Sequence, residues 1–190
     1  MKISTCIPVL VVLFLSSAAP AAFVTRNEAG MDTIYSQQAL LDVGMPIDIR
    51  FIGSAVIEDE SLLVVDGVAE LNSLLLNPVM LPPPIANFTF VDSIQWCGAP
   101  AQPPNSFSGC GTTPGNFVVF TSSFLATPLG FTTSAHELAH NLGLQHVNDP
   151  TNLMFPAANG GTTLTAGQVD TILTSPLIQT DTDGSKFIEI

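Results

Sequence analysis

The sequence predicts an α+β fold in a single domain behind an export signal. Three observations carry that reading. Segments with apolar residues at alternate positions are interspersed with segments whose apolar residues recur every three or four positions, the periods of strand and helix. Proline and glycine clusters punctuate them. The 190 residues suffice for one hydrophobic core, and no internal repeat suggests a solenoid.

In chain order, Lys2 is the only early charge, residues 7–15 form an apolar run interrupted by Pro8, and residues 16–22 are mostly small. This is the layout of a secretory signal peptide, and Ala19-Pro20-Ala21 fits its small-x-small cleavage pattern, so residues 1–21 are expected to be removed. The run is too short for a lasting bilayer anchor, and no later stretch is longer. A secreted protein without a stable membrane anchor is expected. Residues 22–45 are weakly patterned and fit a leader, a loose N-terminal arm or a first turn of helix at 36–41; residues 46–190 are read as the domain proper.

Ile47, Ile49 and Phe51 alternate with Asp48 and Arg50, which predicts a strand ending at Gly53. Leu62, Val65, Val68, Leu71 and Leu75 fall at helical spacing, with a short strand at 62–65, an Asp66-Gly67 turn and a later helix as the rival arrangement. Four prolines make 77–84 a loop. Residues 86–96 and 116–121 read as strands, and Asn87-Phe88-Thr89 is a glycosylation sequon. Thr127 and Pro128 suit the cap and first position of a helix running to Leu142, although Gly130 disfavours its first turn and a start near Thr133 also fits. Thr165 and Gln168 form a capping box for a last helix, with Leu164 and Val169 placed for a hydrophobic staple and Ser175-Pro176 ending it. Asp181-Thr182-Asp183-Gly184-Ser185 reads as a turn before a short strand. It opens like a calcium loop but lacks the later glutamate, so a Ca2+ ion has no further sequence support.

The formal net charge is −12, with 16 acidic residues in the chain. After residue 21 the only basic side chains besides histidine are Arg26, Arg50 and Lys186, which excludes a basic phosphate-binding surface and with it nucleic acid as a partner. A monomer is expected. Cys97 and Cys110 are the cysteines left after the signal, and in an oxidising compartment an isolated pair is expected to form a disulfide across the Gly/Pro/Ser-rich loop between them.

Chemistry concentrates in His136-Glu137-Leu138-Ala139-His140-Asn141-Leu142-Gly143-Leu144-Gln145-His146. Residues four apart share a helix face, so His136 and His140 can offer two imidazoles to one ion with Glu137 beside it, and Gly143 can reverse the chain to bring His146 as a third ligand. The chain has 3 histidines and all of them lie in this pattern. Three nitrogen ligands leave an open fourth position on zinc, the arrangement of a catalytic ion with a polarised water. Glu137 then stands where a general base to that water would be needed.

These residues resemble the HExxHxxGxxH signature of the metzincin clan of zinc peptidases, and Met154 resembles the clan's Met-turn. Leu153, Met154, Phe155 and Pro156 look most like the matrixins, and the likeness extends more loosely over 46–176. The resemblance implies a zincin with a twisted mixed sheet, a backing helix, an active-site helix, a Met-turn and a C-terminal helix. It implies a secreted zinc endopeptidase acting on a protein or peptide substrate, with one catalytic Zn2+ held by His136, His140 and His146 and Met154 packed beneath them. It further implies substrate lying along an edge strand, by position Phe117, Val118, Val119 and Phe120, and a pocket lined by Phe155, Pro156 and Ala157. The chain departs from the matrixin pattern at Phe155, where tyrosine is usual, in lacking histidines for a second zinc, in its cysteine-free leader and in the Cys97, Cys110 pair. The alternative expectation is a zincin-fold binding or surface protein that holds zinc without turnover.

Overall fold

The computed structural model describes residues 27–102 and 106–190; the expected signal peptide and its cleavage site lie outside them. Six helices and eight strands follow in the order α1 (Glu28–Tyr35), α2 (Gln38–Leu41), β1 (Ile47–Arg50), β2 (Val64–Val65), α3 (Val68–Leu75), β3 (Asn87–Val91), β4 (Ser93–Ile94), β5 (Gly109–Gly111), β6 (Phe117–Thr121), α4 (Ser122–Leu125), α5 (Gly130–Asn141), α6 (Ala166–Leu173), β7 (Gln179–Thr180) and β8 (Lys186–Glu189). The α+β class holds. The strands divide among three small sheets, two of them mixed, in the orders β1-β8-β7, β2-β4 and β3-β6-β5. No described helix is long and apolar enough to cross a membrane.

The two larger of three apolar clusters among the described residues hold these elements together. In the first, Met31, Ile34 and Tyr35 of α1 meet Ala135, Leu138 and Ala139 of α5, Val169 and Ile172 of α6, and Ile47, Ile49 and Ile188 of the β1-β8 pair. The second gathers Leu62, Val65, Leu74, Val91, Ile94, Phe117 and Val119 around Cys110. Strand β6 lies between β3 and β5, sending Phe117 and Val119 to that second cluster and Val118 and Phe120 to the opposite face. Coverage on both faces explains why its sequence is a continuous apolar run.

Several local expectations are corrected by pairing. Between 59 and 76 the rival arrangement forms: a turn of 3-10 helix at Glu60–Leu62, then β2, then α3 after Gly67. Val64 and Val65 are extended because they pair in parallel with Ser93 and Ile94, which tertiary contact favours over continued helix. The stretch expected as one strand over 86–96 breaks after Val91, since β3 follows β6 while β4 turns to β2. Thr127 and Pro128 do not open helix α5. It begins at Gly130, where a Cβ would stand 2.1 Å from the Leu125 carbonyl oxygen, so the glycine allows α4 to end against α5.

The capping box at Thr165 and Gln168 forms with both reciprocal hydrogen bonds, and Leu164 and Val169 are buried beside it. The turn at 181–185 joins β7 to β8, closed by Gly184 N–H to the Asp181 carbonyl at 3.0 Å. The disulfide joins Cys97 to Cys110.

Candidate metal centre

Helix α5 presents His136 and His140 one turn apart, and the way it ends delivers the third histidine. Gly143 adopts φ +99°, where any side chain is strained; its N–H donates to the His140 carbonyl at 2.9 Å and Leu144 N–H donates to that of Ala139 at 3.0 Å. This pair of bonds is the Schellman termination, with Leu144 buried against the helix as its apolar contact. The reversed chain brings His146 Nε2 to 3.2 Å from His136 Nε2 and 3.1 Å from His140 Nε2.

The other ring nitrogens define the tautomers. His136 Nδ1 lies 2.6 Å from the Leu153 carbonyl oxygen and His140 Nδ1 lies 2.8 Å from that of Leu144. A carbonyl only accepts, so both Nδ1 atoms carry the hydrogen and both Nε2 atoms turn lone pairs inward. One hydrogen on His146 Nε2 can point at one of them, leaving the other lone-pair contact unsatisfied. A cation satisfies all three. Imidazole nitrogens ligating at about 2.05 Å in tetrahedral geometry are separated by about 3.3 Å, close to the spacing found. Burial lowers the pKa of all three histidines, that of His136 to about 4, so the rings are neutral near pH 7 and their lone pairs are free to ligate. These three form the one cluster among the described residues able to hold a metal ion through His, Cys, Asp or Glu.

Glu137 is 7% exposed and stands beside the imidazoles at the wall of a cleft of about 280 Å³. Burial pushes its pKa up to about 8, opposed by a hydrogen bond from Gly111 N–H; a cation among the imidazoles would favour the carboxylate. Met154 is fully buried in the first cluster, in the turn whose preceding residue, Leu153, holds the His136 ring.

No protein-family model and no curated protein matches this chain. The trihistidine site therefore stands on its geometry.

Of the residues singled out by sequence, the structure brings His136, Glu137, His140 and His146 to the cleft, and Phe155, Pro156 and Ala157 to its wall. Phe117, Val118, Val119 and Phe120 are not there. They are buried in β6, which is hydrogen-bonded on both sides and so cannot be the edge along which a ligand strand adds. The edge bordering the cleft is β5. Thr112 N–H donates to the Phe117 carbonyl and Thr121 N–H to that of Ser108, so in this antiparallel register the peptide groups of Gly109 and Gly111 face away from β6.

Sequence reasoning missed Gly109 and Gly111, and also the pairing of Asn152 with Gln168, the latter legible only as part of a helix cap. The last two exchange hydrogen bonds, Asn152 Nδ2 to Gln168 Oε1 at 2.9 Å and Gln168 Nε2 to Asn152 Oδ1 at 3.0 Å, while Asn152 Oδ1 also accepts Met154 N–H at 2.9 Å. The Gly-Cys-Gly triplet was a signal for the first pair, because glycines two apart in a strand strip one face of side chains.

Proposed function

We propose that this chain is an exported zinc endopeptidase of the metzincin type, closest in its motifs to the matrixins. The observation that carries the reading is the convergence of His136, His140 and His146 with Glu137 beside them, in a cleft bordered by a strand edge. His136, His140 and His146 would hold the ion, and the carbonyls of Leu153 and Leu144 keep the first two rings turned to it. Bound there, zinc supplies a water of lowered pKa and an electrophile for the scissile carbonyl.

The remaining work falls to the chain's own groups. An extended peptide adds to the outward peptide groups of Gly109 and the carbonyl of Gly111 as one more strand, which sets its own carbonyl in register with the imidazoles. Glu137 accepts the proton of the attacking water on its carboxylate and returns it to the leaving amine. Phe155 carries no phenol, so that position adds no hydrogen bond to the developing oxyanion. Phe155, Pro156 and Ala157 wall the side-chain pocket. The N-terminal signal pattern and the Cys97–Cys110 disulfide support an oxidising, extracellular setting.

The test is to incubate protein beginning at Ala22, and its Glu137→Ala variant, with a diverse peptide pool while measuring bound zinc. Cleavage by the parent alone, with zinc in both, is expected. Bound zinc without cleavage by either form would identify a binding module instead, and equal cleavage by both would remove Glu137 from the mechanism.

A further inference from the structure

We infer that Gly109 and Gly111 are positioning residues for Glu137: the side-chain-free face of β5 is a slot that aims the carboxyl of the base while the same strand edge registers the substrate. The inference rests on the peptidase reading for its kinetic consequences and on the structure for the slot itself.

The contact is closer than a side chain would allow. A Cβ built on Gly109 would stand 2.6 Å from Glu137 Cγ, 2.8 Å from its Oε1 and 2.9 Å from its Cδ. One on Gly111 would stand 3.1 Å from the Glu137 carbonyl oxygen and 3.2 Å from its Oε2. The glycines therefore bear directly on the carboxyl-bearing arm of the base, and glycine inside a strand otherwise weakens it.

The strand cannot retreat from this contact. Side chains alternate along it, so Cys110 points away from α5 into the second apolar cluster, where Cys97 is bonded to it. On the other side Asn141, one residue past His140 on α5, donates from Nδ2 to the Thr112 carbonyl at 2.8 Å and to that of Phe117 at 3.1 Å. The β5-β6 hairpin is thus fastened to the helix that carries the base. Glu137 is held by backbone, and moving β5 moves the base and the proposed substrate edge together.

The experiment compares Gly109→Ala, Gly111→Ala and, as a control, Gly53→Ala, whose added Cβ meets nothing within 4 Å. Zinc content and steady-state kinetics are measured on the zinc-loaded proteins. Melting temperature is measured on the metal-free proteins with Glu137 and with Glu137→Ala. Gly109→Ala should keep its zinc and lose about 100-fold in kcat, the scale of a base displaced by an ångström, with KM changed less than about 3-fold. It should lower the melting temperature, and at least roughly half of that loss should vanish when Glu137→Ala removes the obstructing atoms. Gly111→Ala should act in the same direction and Gly53→Ala should do neither. The slot is refuted if Gly109→Ala melts no lower than Gly53→Ala, or if its loss is the same with and without the Glu137 side chain. A parent protein that cleaves nothing would overturn the peptidase reading, and the metal-free melting comparison would still decide the slot.

Discussion

The phenolic hydroxyl of Tyr35 donates to the main-chain carbonyl of Ala135 at 2.9 Å, across 100 positions of sequence. Tyr35 is fully buried, and Ala135 immediately precedes His136 on α5. One polar contact inside the first apolar cluster thus pins α1 to the helix that carries the metal ligands.

Tyr35→Phe keeps the ring and removes this bond, leaving the Ala135 carbonyl with its helical partner alone. Stability should fall by about 1 kcal/mol, and Tyr35→Ala should cost about 3–5 kcal/mol by emptying the site. Urea unfolding measures both, and an unchanged midpoint for Tyr35→Ala would contradict the packing of α1 described above.

The Asn152–Gln168 pair connects the last helix to the turn at Met154. Gln168→Leu strands the buried Asn152 amide, which should cost about 1–3 kcal/mol. Because Leu153 in the same turn orients His136, zinc affinity should weaken by about 10-fold. Competition with a chelator reads the affinity, and an unaltered value would separate the turn from the ligands.

Cys97 and Cys110 close a short loop at the border of the cleft. Replacing both by serine should lower stability by about 3 kcal/mol, the restriction such a loop places on the unfolded chain. A loss below about 1 kcal/mol in urea unfolding would contradict that estimate.

Asp32 accepts Ile49 N–H at 2.7 Å, joining α1 to β1. Burial raises its carboxyl pKa, the nearby Asp48 and Glu28 raise it further, and the Ile49 hydrogen bond opposes them. A folded pKa above the ordinary 3.8 means that the charged form costs stability at neutral pH; the cost fades as pH falls through the raised value and is gone below the ordinary one. Asp32→Asn keeps the acceptor without the charge. It should therefore melt higher than the parent at about pH 7 and level with it at about pH 3. Equal melting temperatures at both would contradict a cost from this half-buried charge.

The site was legible in sequence wherever chemistry and local geometry coincide. Two histidines a turn apart, a glycine that must take positive φ and a capping box are each decided within a few residues of themselves, and each forms as read. Strand order is decided elsewhere. Val118 and Val119 look like any apolar strand, and only the partners on either side make β6 central and leave β5 as the edge. The helix α1 was obscure for a related reason: Met31, Ile34 and Tyr35 are a sparse apolar stripe whose partners are a hundred positions away on α5. Gly109 and Gly111 mark a bare strand face in the sequence, but the triplet does not show that Glu137, far along the chain on α5, is the group that fills it.

Three imidazoles converging on one point should hold one metal ion. Protein beginning at Ala22, purified without chelator, equilibrated with zinc and desalted, should retain about one zinc ion per chain by elemental analysis, and His140→Ala should retain almost none. Protein that keeps no zinc, or a His140→Ala variant that keeps as much as the parent, would contradict it.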